Sequence, residues 1–169
     1  DICQLKDVMP TILDVMGLPS DIQFDGRNLM KWIRGEELDQ ECEMYITECT
    51  WMRKHGWRTP EWKLMVALEP DFHYKPEIEL YNLIQDPQEM HNVADENPET
   101  VAYLRDRMLA HIERRKAAVG RENPMDTNLN WHGQGCGPFK TSDQAYNTLH
   151  IGDPAAARRL QADRDKSAK

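Results

Sequence analysis

The chain has 169 residues, of which 30% are charged and 40% hydrophobic, and a formal net charge of −8. That is about one domain's length, and the acidic balance excludes a general nucleic-acid or anionic-membrane surface, which needs basic patches. Cys3, Cys42, Cys49 and Cys136 form no C-x-x-C pair, which excludes zinc-ribbon and thioredoxin spacings; four cysteines are also too sparse for a disulfide scaffold.

The opening string "DICQLKDVMPTILDVMGL" reads as an entry into mid-protein structure, and the expectation is a piece of a longer protein or a processed product. Leu5, Val8, Met9, Ile12, Leu13 and Met16 recur at helical spacing. Asp7 and Pro10 suit the helix start, and Gly17 can stop it. The helix is apolar over one broad face and needs a partner surface. "DGRNLMKWIRGEE" follows, with a short helix through Leu29, Met30, Trp32 and Ile33 that ends at Gly35. Cys42–Trp51 is β-like. Glu61–Glu69 alternates, with Trp62, Leu64, Val66 and Leu68 on one face. Between them, Arg53–Pro60 has turn chemistry at Gly56 and Pro60 and is expected to link the two strands. Ile78–Ile84 makes a third.

Asn97 is a good N-cap, Pro98 suits the first helical position, and Glu99 favours the positive end. Val101, Leu104, Met108, Leu109 and Ile112 form an apolar stripe, Arg114, Arg115 and Lys116 gather near the end, and Gly120 closes the helix. After Gly120 the chain becomes rich in Gly, Asn and Pro, which predicts an irregular arm with a short helix near Ser142–Leu149 and a last one opened by Asp153-Pro154. The fold class is therefore α+β. A short antiparallel sheet of three to four strands packs on a long helix, preceded by a first helix and followed by the arm.

Chemistry is sparse. Gly133, Gly135, Gly137, Lys140 and Thr141 suggest a phosphate loop, but Pro138 and Phe139 separate the last Gly from Lys140, and Pro138 deletes a cradle N–H. His132 and Cys136 could share a metal only on a helix, and the glycines between them oppose one. No Ser or Cys sits in a nucleophile-elbow context. "TWMRKHGWRTPEW" is different: it packs three Trp, one His and three cations around an expected hairpin turn. Aromatic faces stack on sugar rings, and Arg or His binds anionic oxygens. His55, Trp57 and Arg58 are the candidate ligand contacts there, with Trp131 and His132 of "NWHG" as a second pair. Core packing of the tryptophans is the structural alternative.

One further string organises the rest. Leu80, Tyr81 and Leu83, then Asp86, Pro87, Glu89 and Asn92, then Ala94 and a helix, resemble the C-terminal subdomain of the sulfatase family. "DVMPTILDVMGLP" and then "DGRNLMKWIRGEE" resemble the segment with which the sulfatase catalytic domain hands over to that subdomain. The ordered pair covers roughly residues 1–120. The resemblance implies that residues 1–40 end a catalytic domain, 41–120 form the subdomain, and 121–169 are an arm with no family-wide motif. It implies a parent enzyme that hydrolyses sulfate esters or sulfamates through a formylglycine nucleophile, made from Cys or Ser in C/S-x-P-x-R, beside a Ca²⁺ ion. No Cys or Ser of this chain has that context, and the family's paired-Asp metal motif is absent from it. No catalytic residue or metal ligand is carried over, and the chain alone is expected to be inactive. Expected partners are the missing N-terminal catalytic domain or a second copy, through the apolar first helix, and a sulfated carbohydrate substrate. A phosphonate or phosphate ester hydrolase of the same superfamily and a stand-alone carbohydrate- or protein-binding module remain as alternatives.

Overall fold

The computed structural model describes residues 2–36, 43–49, 52–127 and 139–149. The chain divides into two compact units, Asp1–Met44 and Tyr45–Lys169.

In the first unit a 3₁₀ turn, Leu5–Asp7, runs into helix α1, Val8–Val15, and a short helix α2 spans Met30–Ile33. Pro10 sits in the first turn of α1, and Gly17 and Gly35 follow the two helices with positive φ, as the sequence predicts. The unit is held by polar contacts around Asp7, which is fully buried. Its Oδ2 accepts the Gln4 amide at 2.9 Å and its Oδ1 the Arg27 amide at 2.8 Å. The Arg27 guanidinium returns to the Ile2 carbonyl at 2.7 Å. Thr11 Oγ1 donates to the Asp7 carbonyl and accepts the Leu29 amide. Gly26 lets the strands of this knot close: a Cβ there would overlap the Lys6 carbonyl. The "DGRNL" string is therefore a clasp on the first helix.

The second unit carries a four-stranded sheet in the order β1 (Met44–Glu48), β2 (Lys54–Arg58), β3 (Trp62–Ala67), β4 (Ile78–Asn82). The expected link Arg53–Pro60 is largely strand: Lys54–Arg58 is β2, and it pairs antiparallel with β3 from Lys54↔Ala67 to Arg58↔Lys63. The turn is confined to Thr59–Glu61, where Thr59 Oγ1 accepts the Trp62 amide at 2.8 Å. β2 lacks apolar alternation, so its strand character comes from its neighbours. Gly56 is needed there, because a Cβ would overlap the Leu64 carbonyl of β3.

Helix α3, Pro98–Val119, covers one sheet face and ends at Gly120 in the left-handed region. Leu104, Met108 and Ile112 bury against Trp57, Leu64, Val66 and Leu80. Leu109, predicted in the buried stripe, is 45% exposed; it follows Met108 by one residue and turns off that face. Asn97 precedes the helix as expected, but its side chain makes no cap bond and donates to the Val93 carbonyl instead.

The other sheet face is charged and yet buried. Lys54 pairs with Asp71 and, at 3.0 Å, with Glu79; Glu79 also binds Lys75 at 2.9 Å and the Tyr81 hydroxyl. A second small core of Met52, Phe72, Phe139 and Ala145 ties in α5, Ser142–Leu149, the helix expected in the arm. A short helix α4, Pro124–Thr127, precedes it.

The turn after β4 shows what the Leu80–Ala94 string is for. Asp86 Oδ2 accepts the His91 amide at 2.8 Å, and Glu89, at φ 56°, pairs with Lys63. Asn92 accepts the Leu80 and Ala94 amides through Oδ1 and donates Nδ2 to the Ile78 carbonyl.

Candidate functional site

A pocket of about 440 Å³ opens in the second unit between β1, the last turns of α3 and the segment leading into α4. Residues 45, 47 and 49 reach it because alternate residues of a strand share a face. Residues 111, 112, 115, 116 and 119 reach it because they recur at helical spacing. Its floor is aromatic and apolar, with Tyr45, His111, Ile112 and Met125; its rim carries Arg115, Lys116 and Arg121 against Glu122.

The floor is fixed from behind. The Tyr45 hydroxyl receives Asn123 Nδ2 at 3.2 Å and lies 3.3 Å from His55 Nδ1. The His111 ring packs 5.5 Å from that of Tyr45 and 5.4 Å from that of Trp57. Met125 is buried, and its carbonyl accepts Arg53 Nη1 at 2.7 Å. Arg53 is in turn held through its amide by Glu69 at 2.7 Å. Burial raises the Tyr45 hydroxyl above its usual pKa and lowers the His55 imidazole below its own. His55 is thus biased to the neutral form, which can hydrogen-bond Tyr45 as a donor or as an acceptor. On the rim, Lys116 bridges Glu113 at 3.1 Å and Glu122 at 2.9 Å, while Arg115 and Arg121 are exposed.

A second cavity, of about 470 Å³, lies beside the charged sheet face and is lined by Glu69, Asp71, Lys75, Glu77 and Ser142. Its carboxylates belong in part to the Lys54–Glu79 network. Among the described residues, no three His, Cys, Asp or Glu side chains converge on a metal position. No helix among the described residues is long and apolar enough to cross a membrane.

Of the five residues singled out in the sequence, Trp57 lies in the core at 5% exposure and His55 is buried at 6%. Both stand directly behind the pocket floor, one against His111 and the other against Tyr45. Arg58 is half-buried on the opposite sheet face, in register with Lys63, and its Nε is buried without a hydrogen bond among the described residues. Trp131 and His132 lie outside the described residues. Tyr45, His111, Arg115 and Arg121 were not readable as one site, because strand β1 and the end of α3 are brought together only by folding. The one local signal is the gathering of Arg114, Arg115 and Lys116 before Gly120.

The N-sulphoglucosamine sulphohydrolase, C-terminal, family model matches residues 1–117. No curated protein matches the sequence significantly. Among solved structures, BT4656 in complex with its substrate D-glucosamine-2-N,6-O-disulfate is similar at 24% identity and TM-score 0.52, over 72% of this chain and 25% of that one. A Bacteroides thetaiotaomicron protein assigned as a sulfatase is similar at 23% identity and TM-score 0.53, over 70% of this chain and 27% of that one. These likenesses share the fold, and the chain spans about a quarter of the length of either protein.

Proposed function

The chain belongs to the N-sulphoglucosamine sulphohydrolase C-terminal family, and from that premise we propose that it is the C-terminal part of an enzyme that releases sulfate from sulfated amino sugars. The family match over residues 1–117 carries this reading. The substrate bound to BT4656 is a sulfated glucosamine, the sugar also named in the family description, which supports a glucosamine sulfate as the substrate class. The nucleophile and the Ca²⁺ ligands are assigned to sequence outside this chain, in a preceding catalytic domain. When bound, that cation would neutralise sulfate oxygens during attack.

This chain's own residues contribute structure and contacts. In the first unit, α1 exposes Val8, Met9, Ile12, Val15 and Met16, a face that requires an apolar partner. The catalytic domain is that partner in this reading, since three quarters of the length of the structural relatives lies outside the matched region. Arg58 offers a charge-assisted hydrogen bond to an anionic oxygen of the substrate. His55 and Trp57 act through Tyr45 and His111, and Trp131 and His132 are assigned further sugar contacts.

Sulfate release from glucosamine 2-N-sulfate and glucosamine 6-sulfate by the full-length protein tests the proposal. Release from either is expected, and none from this chain alone. Absence of release from both, with turnover of a phosphonate ester instead, would overturn it. Arg58→Ala is expected to lower kcat/KM several-fold, and an unchanged value would remove Arg58 from substrate contact.

A further inference from the structure

We propose that Asn123, Tyr45 and His55 form an acid-sensitive latch on the floor of the pocket between β1 and the end of α3: neutral His55 holds the Tyr45 ring in place, and protonated His55 releases it. The latch is built from this chain's own residues and is independent of the substrate.

The hydrogen bonds run one way. Asn123 Oδ1 accepts the Met125 amide at 3.2 Å, which fixes the orientation of the side-chain amide. Its Nδ2 then donates to the Tyr45 oxygen, also at 3.2 Å. The Tyr45 hydroxyl hydrogen is left to point on to His55 Nδ1, 3.3 Å away. His55 Nδ1 is therefore the acceptor, and the neutral ring carries its hydrogen on Nε2. A proton added at Nδ1 sets two donors against each other. The Tyr45 hydroxyl has to turn away, and the run of bonds from Asn123 is broken at its last step.

The surroundings decide what gives way. His55 is buried, so water does not replace the lost bond. Its register partner on β3 is the apolar Val66. Asp126 of α4 favours the charged ring, Arg105 of α3 opposes it, and burial outweighs Asp126. Two further titratable groups stand around Tyr45: His111 of α3 packs on its ring, and Cys49 follows it along the same strand face. Met125 stays anchored, its carbonyl by Arg53 at 2.7 Å and its sulfur by the Cys49 thiol at 3.1 Å. β1 is an outer strand and Tyr45 is half-buried, so the Tyr45 ring is the part that can move. A histidine that the fold holds neutral stabilises the closed arrangement above its ordinary pKa of about 6.5. That contribution is lost as pH falls below it. The latch is closed at neutral pH and opens in acid.

The test is an NMR pH titration of the full-length protein labelled at histidine and tyrosine, with ring signals assigned by His55→Gln and Tyr45→Phe. The Tyr45 ring signal is expected to move at the same midpoint as His55, below about pH 6.5. Asp126→Asn should lower that shared midpoint and Arg105→Gln should raise it. Both residues are exposed, so these variants leave the packing intact. The movement should vanish in His55→Gln and persist in His111→Gln. A Tyr45 signal that ignores pH, or one that still moves in His55→Gln, would overturn the inference. So would loss of the movement in His111→Gln while His55 still titrates, or a midpoint that neither charge variant shifts.

Discussion

The two units invert one another. In Asp1–Met44, the one buried residue among those described is a carboxylate, Asp7, and Leu5, Val8, Met9, Ile12, Val15, Met16 and Ile22 face outward. In Tyr45–Lys169, Leu64, Leu80, Leu104 and Met108 are shielded almost completely, and the charged groups that are buried with them are paired. Apolar burial is the main favourable term in folding, about 25 cal/mol per Å². The second unit draws on it. The first has its shape fixed by hydrogen bonds and leaves that term to be realised elsewhere. A local clasp can therefore define a helix's geometry without supplying the core that the helix is made for.

The sharpest way to test the contrast is to remove apolar volume from the second unit. Met108→Ala should destabilise it by about 2–5 kcal/mol through lost burial and a cavity, read by denaturant unfolding. A loss below about 1 kcal/mol would mean that the core under α3 is not what holds the sheet. In the first unit the equivalent blow is electrostatic. Asp7→Ala strands the Gln4 and Arg27 amides, at about 1–3 kcal/mol for an unsatisfied buried donor. Hydrogen exchange at those two amides should accelerate while the amides of β3 stay protected. Uniform acceleration across both units would erase the distinction.

Acid should separate the units further. Burial pushes the Glu79 carboxyl up, but hydrogen bonds from Tyr81, Lys75 and Lys54 outweigh it and hold the group below its usual pKa. A carboxyl lowered by folding stabilises the fold above its unfolded pKa, about 4.3 for Glu. That contribution disappears as pH falls through the folded value. Glu79→Gln should lower Tm at pH 7 and flatten the fall of Tm below about pH 4; a wild-type slope in the variant would dissociate the network from acid unfolding. The smallest effect is expected on the outer face of α1. Ile12→Ser, at a residue 47% exposed, should change this chain's stability by no more than about 0.5 kcal/mol while reducing hydrophobic-dye binding. A loss of 2 kcal/mol would show that the face is already packed.

What could be read from the sequence follows the same division between local and distant causes. Helix α3 was legible because Pro98, the Leu104–Met108–Ile112 spacing and Gly120 are all local signals. The fold class and family were legible because the Asp86–Ala94 turn and the Asp25–Leu29 clasp are short and chemically specific. Strand β2 was not legible. "KHGWR" contains a lysine whose burial depends on Asp71 and Glu79, 17 and 25 positions away, and a glycine chosen for space beneath Leu64. The tryptophans and histidine of that stretch have the side-chain chemistry of ligand contacts. The structure puts His55 and Trp57 one layer behind the pocket floor, supporting Tyr45 and His111, whose nearness no window of sequence displays.

Asn92 has an effect beyond the turn it organises. β4 is an outer strand of the sheet, and an open outer strand can template pairing with another molecule. Its Ile78 carbonyl and Leu80 amide are taken by the Asn92 side chain, and the Leu80 carbonyl by the Val93 amide at 2.9 Å. The groups that would recruit a foreign strand are occupied from within the same chain, so the asparagine also guards this border against aggregation.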